Sequence, residues 1–246
     1  MYRDTGAADE FETLYSIPTL TVRRFRMKKV GSLDNLETGA TESIIALSNG
    51  SAELRERRNS LNFRLEPHDA CYLPPGDSFS LQKRSEACEI IWATAPATVG
   101  FDPYLRRYAD CKHVEVGSNA NASRRLNTTM VSRFEKSERL RIGYTEADRG
   151  NWTSFPPHRH DGIPEVYVFT GMGRGFGLQM VWDEKGERTY VVKEGDAVGF
   201  DEGYHPNVGD PTTGLKFFWV LSCGSDRRNE DGGFTSQIHP DFQEAK

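Results

Sequence analysis

The sequence alternates short β-prone runs with glycine- and proline-containing turns, and this alternation limits the folds available to it. Typical runs are "TLTVRRFRM", "ESIIALS", "EIIWATA", "VYVF", "FGLQMVW" and "KFFWVL", and the turns between them include "SNGS", "PPGDS", "TGMGRG" and "DEGYHP". Convincing helical periodicity is scarce. Short strands at regular spacing with such turns predict an all-β sandwich or barrel. The segment 176–193 is predicted to be a hairpin, and the polar tail after Cys223 is expected to lie across the surface.

A weak internal repeat indicates two similar β-domains in tandem. The segment "HDACYLPPGDS" at 68–78 aligns with "GDAVGFDEGYH" at 195–205. The alignment matches the Asp-Ala pairs and one glycine, and it places Ser78 where His205 stands. No histidine precedes His68. We therefore expect a histidine-rich site in the second copy alone.

Composition narrows the function classes. The chain has 246 residues and a net charge of −5, so it lacks the basic stripe that nucleic-acid binding requires. No apolar run reaches membrane-spanning length, and the acidic N-terminus does not resemble a signal peptide. The four cysteines are widely spaced and form no CxxC pair, which favours reduced thiols in a cytoplasmic protein.

The stretch "PPHRHDGIPEVY", at 156–167, contains the most informative spacing. His158 and His160 are two apart, so in an extended strand their side chains point to one face. Glu165 opens the next run, and His205 follows a glycine turn about forty residues later. Three imidazoles and one carboxylate suit a divalent transition metal. Chance clustering is the alternative, and we adopt it for His68, His113 and His239, which have no partner at ligand spacing.

Two other motifs carry less weight. The run "GMGRGFG", at 171–177, has glycines at nucleotide-loop spacing, but it joins two β segments and opens no helix. We therefore predict a hairpin turn instead of a phosphate cradle. Arg124 and Arg125 are adjacent, so at most one of them faces a given pocket. The alternatives for this pair are a solvated surface and a clamp for a substrate carboxylate.

Several motifs resemble the family of 5-deoxy-glucuronate isomerase, which is related to 4-deoxy-L-threo-5-hexosulose-uronate isomerase of pectin breakdown. They are "RRLNTTM", "GNWTSFPPHRHD", "EVYVF", "GFGLQMVW", "VKEGDAVGFDEGYHP" and "LEPHDACYLPPGDSFSL". The resemblance implies two tandem cupin barrels, a domain at 1–115 without metal ligands and one at 116–246 with them. It also implies that His158, His160, Glu165 and His205 hold one divalent metal, zinc by preference, with Mn²⁺ and Fe²⁺ as alternatives.

The sequence departs from the inositol-pathway pattern at three places. The short spacing "HRHDGIPEVY" is closer to the pectin-pathway enzyme, Gln179-Met180 stands where Gln-Arg is common, and "EVYY" is here "EVYV". These departures leave the exact sugar acid open.

The implied reaction is aldose–ketose isomerisation of a deoxy-uronate, with 5-deoxy-glucuronate of inositol catabolism as the first expectation. Tyr167 shares the strand face of Glu165, and Gln179 lies on a neighbouring run, so both are candidates for catalytic contacts. Arg125, and after it Arg174, are candidates for binding the substrate carboxylate. Two other classes remain open, an oxygen-using iron or manganese cupin and a sugar-acid-binding protein. Exposed β edges would allow pairing into a homo-oligomer.

Overall fold

The computed structural model describes residues 1–132, 136–224 and 236–243. Within this part the chain forms twenty-two β-strands, β1 to β22, and three short 3-10 turns, at Tyr108–Asp110, Asn119–Asn121 and Pro240–Phe242. None of the described helical segments is long and apolar enough to cross a membrane. The predicted all-β class is confirmed, and the chain is built as two cupin barrels.

The chain divides into two compact units. The N-terminal unit comprises Thr5–Cys111 and Thr129–Ile142, and the C-terminal unit comprises Met1–Asp4, Lys112–Thr128 and Gly143–Lys246. Relative to the single boundary expected between residues 115 and 116, the first four residues, residues 112–115 and the segment 129–142 belong to the opposite unit. The extents of the functional domains therefore stay a prediction.

The N-terminal unit contains ten strands in two sheets. They are β1 (Phe11–Ile17), β2 (Leu20–Met27), β3 (Ser32–Glu37), β4 (Thr41–Asn49), β5 (Ala52–Glu56), β6 (Leu61–Leu65), β7 (Ala70–Leu73), β8 (Ser78–Lys83), β9 (Cys88–Pro96) and β10 (Tyr104–Arg106). The sheet orders are β1-β2-β9-β4-β7-β10 and β3-β8-β5-β6. Aliphatic and aromatic side chains fill the space between them, including Phe79 and Trp92.

The remaining strands form the C-terminal unit, apart from the parts of β12 and β13 that fall in 129–142. They are β11 (His113–Val116), β12 (Arg125–Val131), β13 (Leu140–Ala147), β14 (Trp152–Thr153), β15 (His158–Arg159), β16 (Glu165–Phe169), β17 (Phe176–Asp183), β18 (Gly186–Lys193), β19 (Ala197–Phe200), β20 (Asn207–Gly209), β21 (Leu215–Ser222) and β22 (Gln237–Ile238). The sheet orders are β11-β12-β13-β21-β16-β19, β14-β20-β17-β18 and β15-β22.

Strand β16 explains why its sequence, "EVYVF", lacks polar alternation. It pairs with β19 on one side and β21 on the other, and all five of its residues are buried. A strand covered on both faces is expected to be continuously apolar. The predicted hairpin 176–193 is confirmed, with Asp183 opposite Gly186, so its loop is shorter than the polar run suggested. The glycine run at 171–177 forms a turn that leads into β17. The predicted hairpin at this place is wrong, because β16 and β17 lie in different sheets and do not pair with each other.

The internal repeat appears as the same hydrogen bonds made twice. The Asp69 carboxylate accepts from the guanidinium of Arg107 and from the backbone of Glu66 and Tyr108. The Asp196 carboxylate accepts from the guanidinium of Arg3 and from the backbone of Lys193 and Asp4. In each unit the aspartate therefore binds an arginine and the backbone of the residue that follows that arginine.

Candidate active site

Three side chains predicted as metal ligands meet inside the C-terminal unit. Glu165 is the first residue of β16, His160 follows β15, and His205 follows the turn that ends at Gly203. His160 Nε2 lies 3.0 Å and His205 Nε2 lies 3.5 Å from Glu165 Oε2. One ligand atom of each residue lies within 4.8 Å of the others, and all three residues are buried. This cluster is able to hold a metal ion.

Backbone carbonyls orient the histidine rings. Each predicted histidine ligand places its Nδ1 against a backbone oxygen, His158 with Pro156 at 3.1 Å, His160 with Ile163 at 3.2 Å and His205 with Gly203 at 2.9 Å. Donation from Nδ1 assigns the proton to that nitrogen and leaves the Nε2 lone pair for a ligand. Histidines that bind metals in proteins are held in this way, so the rings fit a metal ion.

The Nε2 atom of His205 supports the same conclusion. It is buried and has no hydrogen-bond partner in the described part of the chain. A buried nitrogen without a partner costs free energy, and a bound cation would remove that cost.

His158 lies beside this cluster. Its ring centroid is 4.9 Å from that of His205 and 6.3 Å from that of His160. The group of ligand atoms within mutual reach comprises the other three residues. The structure therefore brings three of the four predicted ligands together, with His158 at their edge.

The electrostatics of the cluster favour neutral imidazoles at two positions. Burial lowers the pKa of His205 well below its usual value, and the neighbouring His158 and His160 rings lower it further. Burial also lowers the pKa of His158. For His160, burial lowers the pKa, but the hydrogen bond and charge of Glu165 outweigh that effect and raise it. Neutral imidazole is the form that binds a metal ion.

Tyr167, one predicted catalytic residue, is next to the cluster. Its hydroxyl lies 2.7 Å from Ser154 Oγ, and its ring packs against Phe200 and Phe217. Burial raises the pKa of Tyr167 well above 10, and the Glu165 charge adds to the effect. The phenol therefore stays protonated at neutral pH.

Arg125, one predicted carboxylate ligand, lies on the same side of the site. Its guanidinium donates to the backbone oxygens of Ser123, at 3.1 Å, and Phe155, at 3.0 Å. It forms no ion pair with a carboxylate in the described part of the chain. Burial lowers the pKa of Arg125, and its charge acts on Tyr167 and His158. A guanidinium held by carbonyls near a metal cluster is suited to bind an anion.

The other two predicted contacts lie differently. Gln179 is fully buried, and its amide donates to the His205 carbonyl at 2.9 Å and accepts from Asn207 at 2.8 Å. This placement suits a positioning role for His205 better than contact with a substrate. Arg174 is exposed in the turn beyond Phe169, whereas Glu165 opens that strand, so the structure does not bring Arg174 to the cluster.

Sequence reasoning missed Ser154 and the buried pair of Thr153 and Asn207. The Thr153 hydroxyl donates to the Asn207 amide, which continues through Gln179 to the carbonyl of His205. The register of β14 with β20 places Thr153 opposite Asn207. No local pattern predicts this pairing, because the two residues are separated by more than fifty positions.

A chain of two antiparallel barrels, with two histidines and a glutamate converging in the second, is a bicupin with a candidate metal centre. A model of the KduI/IolB family matches residues 15–234. The chain therefore belongs to the KduI/IolB family.

Named relatives define the enzyme class. The 5-deoxy-glucuronate isomerase of Geobacillus kaustophilus is 27% identical over 71% of this chain and 69% of its own length. The 4-deoxy-L-threo-5-hexosulose-uronate ketol-isomerase 2 of Rhizobium meliloti is 24% identical over 68% of this chain and 61% of its own. The crystal structure of an IolB-like protein from Salmonella typhimurium has a TM-score of 0.80 at 17% identity, covering 96% of this chain and 98% of that one. The protein is an intramolecular isomerase of this family.

Proposed function

We propose that the protein is a metal-dependent aldose–ketose isomerase of a deoxy-uronate, with zinc as its metal and 5-deoxy-glucuronate as its substrate. The observation that carries this proposal is the half-buried guanidinium of Arg125, without a carboxylate partner among the described residues, beside the cluster of His160, Glu165 and His205. The guanidinium suits a substrate carboxylate. The cluster, with a bound metal, suits the oxygens of a sugar carbonyl and its neighbouring hydroxyl. Relatives named as uronate isomerases support the same pairing.

The metal would be held by His160, Glu165 and His205, with His158 as the fourth ligand. When bound, it supplies Lewis acidity that makes the hydrogen next to a sugar carbonyl more acidic. Burial of the cluster strengthens every electrostatic interaction within it. Gln179 and Asn207 keep the backbone of His205 in place through their amide hydrogen bonds.

Arg125 and Tyr167 would act on the substrate directly. The guanidinium of Arg125 binds the carboxylate and sets which end of the sugar faces the cluster. The Tyr167 hydroxyl donates a hydrogen bond to a substrate oxygen, with Ser154 holding it in orientation. Because its pKa is well above 10, we assign Tyr167 to orientation of the substrate and not to proton abstraction.

A second substrate has a specific observation in its favour. The Rhizobium meliloti relative is named for 4-deoxy-L-threo-5-hexosulose-uronate. The five-residue spacing from His160 to Glu165 also resembles the pectin-pathway pattern. We therefore treat this uronate as the alternative substrate of the same isomerisation.

The test combines metal analysis with substrate competition. Protein purified without a histidine tag is analysed by ICP-MS and assayed by NMR with both uronates. We expect about one zinc per chain and a higher kcat/KM for 5-deoxy-glucuronate. A higher value for the other uronate would move the protein to the pectin-type reaction. Iron or manganese with oxygen consumption would indicate an oxygen-using cupin, and binding without turnover would indicate a sugar-acid-binding protein.

A further inference from the structure

The strand that carries His158 is short and depends on a distant partner. Strand β15 has two residues, and the residues before it are Pro156 and Pro157. Proline cannot donate to a β-ladder, so the approach to this strand contributes no backbone N–H bonds of its own. Among the described residues, β15 pairs with β22 alone, in a two-stranded sheet. That partner belongs to the C-terminal segment, residues 236–243.

Strand β22 of this segment pairs directly with β15, the strand that carries His158. His158 stands opposite Ile238, and Arg159 stands opposite Gln237. The pairing continues as the His239 amide donates to the Pro157 carbonyl at 2.8 Å. The C-terminal segment therefore holds the same stretch of backbone from which the His158 side chain projects.

Aromatic contacts fix the C-terminal segment in turn. The ring of His239 lies 4.7 Å from that of Tyr204 and 6.2 Å from that of Trp182. The ring of Phe242 lies 5.7 Å from that of Phe155. Tyr204 immediately precedes His205, and Phe155 lies three residues before His158. The C-terminal segment therefore contacts residues that lie shortly before His205 and shortly before His158 in the chain.

The other ligands have independent support. Glu165 belongs to a strand paired on both sides, and His205 is held through Gln179. His160 follows β15, but its ring and its carbonyl oxygen are both hydrogen-bonded to the backbone of Ile163. His158 lies at the edge of the cluster, so small movements of β15 would decide whether it completes the ligand set.

We propose that the C-terminal segment 236–243 is a brace that positions His158 for metal binding. It acts through the strand pairing of β22 with β15, with His239 and Phe242 as its anchors. This inference rests on the proposed metal centre and concerns affinity for the metal, not the identity of the sugar. Positioning groups around a metal ligand typically change affinity 10–100-fold.

The experiment measures Zn²⁺ affinity of the apo-protein by competition with a chromogenic chelator. A chain ending at residue 235 is compared with a control chain ending at residue 243, which keeps the whole brace. We expect the shorter chain to bind Zn²⁺ at least about tenfold more weakly, because groups that orient a metal ligand have effects of this size. The control should match the full chain. Equal affinity in all three chains would overturn the brace.

A double-mutant cycle separates positioning from general support. The truncation is repeated in a His158→Ala background. If the segment acts through His158, its removal has no further effect on affinity once that imidazole is gone. An undiminished effect in the His158→Ala chain would overturn the proposed route.

Point variants keep the test decisive if the shorter chain does not fold. Phe242→Ala and His239→Ala are expected to weaken Zn²⁺ binding several-fold, and Phe242→Leu is expected to restore most of it. Unchanged affinity in both alanine variants would contradict the brace. A full-length protein that binds no Zn²⁺ would overturn the metal centre itself, whereas a Zn²⁺-binding protein inactive on uronates would overturn only the isomerase assignment.

Discussion

The N-terminal and C-terminal units place different residues on the same strand frame. In β4, Ser43 pairs with Leu73, and in β16, Glu165 pairs with Phe200 at the matching position of the repeat. By the same register Ser78 takes the place of His205. Two short hydroxyl side chains thus stand where the other unit has a carboxylate and an imidazole.

The two units also differ two residues further along the same strands, β4 and β16. Ile45 pairs with Trp92 in the N-terminal unit, and Tyr167 pairs with Trp219 in the C-terminal unit. The N-terminal unit has an apolar interior in which Trp92 packs on Phe79 at 5.4 Å. The comparison indicates that a barrel of this kind requires a well-packed interior, which either apolar or polar side chains are able to supply. Apolar packing serves stability, whereas a polar cluster requires carbonyls and amides to satisfy it.

The largest expected effect comes from removing a ligand of the polar cluster. His160→Ala should lower Zn²⁺ affinity by more than about 100-fold and abolish isomerisation, because even groups that only support a ligand are worth 10–100-fold. The measurement is metal content by ICP-MS with turnover by NMR. His113→Ala, a histidine of the same unit outside the cluster, should retain both. Full metal content in His160→Ala would remove the distinction between the units.

The next effect concerns the half-buried guanidinium of Arg125. Arg125→Ala should raise KM for a uronate about 10–100-fold, because a charged hydrogen bond contributes about 1.5–3 kcal/mol. Steady-state kinetics of the variant measure this change. The exposed Arg174→Ala is the matched control and should change KM less than about twofold. If both variants behave alike, the substrate carboxylate binds elsewhere.

The N-terminal unit contains a buried carboxyl group, Asp77, at a position where the C-terminal unit has none. Burial, and then the adjacent Glu56 carboxyl, raise the pKa of Asp77 from 3.8 to about 6. Tyr204 takes the equivalent position in the C-terminal unit. Because the folded form keeps the Asp77 proton at a pH where the unfolded chain has lost it, the contribution of Asp77 to the free energy of unfolding should fall as pH rises from about 4 to 6. The expected fall is about 1–3 kcal/mol.

Urea unfolding across this pH range measures the titration. Relative to the parent protein, Asp77→Asn should gain stability as pH rises from about 4 to 6, and it should be the more stable of the two at pH 8. A curve identical to that of the parent protein would show that another group titrates. Asp69→Asn is the control, since it alters a neighbouring carboxylate of the same unit.

The smallest expected difference compares two equivalent glycines. Gly76 and Gly203 both have positive φ, 76° and 91°, so an alanine is strained at either position. A Cβ at Gly76 meets no atom within 4 Å, whereas at Gly203 it would lie 2.7 Å from the Trp182 carbonyl oxygen. We expect Gly76→Ala to cost about 1 kcal/mol and Gly203→Ala about 3 kcal/mol, the latter adding a steric clash. Denaturant unfolding of the two variants would contradict this if the costs were equal.

The all-β fold, the tandem repeat and the places of His160 and Glu165 in the cluster could be predicted from the sequence. These follow from local rules, since turn residues separate the strands and a two-residue period sets the direction of side chains. His205 could be added because its turn matches the repeat. Arg125 stays a prediction, made because at most one of two adjacent arginines faces a given pocket.

The remaining features of the site depend on contacts between segments that are far apart in the chain. Gln179 lies on β17, in a different sheet from the strand of Glu165 and Tyr167, and its amide is hydrogen-bonded to the carbonyl of His205 and to Asn207. His239 has no partner at ligand spacing in sequence, yet it packs beside Tyr204 and follows the strand that pairs with His158. Both outcomes depend on strand register between segments far apart in the chain. Local periodicity carries no information about that register, because packing and hydrogen bonding of the whole barrel select it.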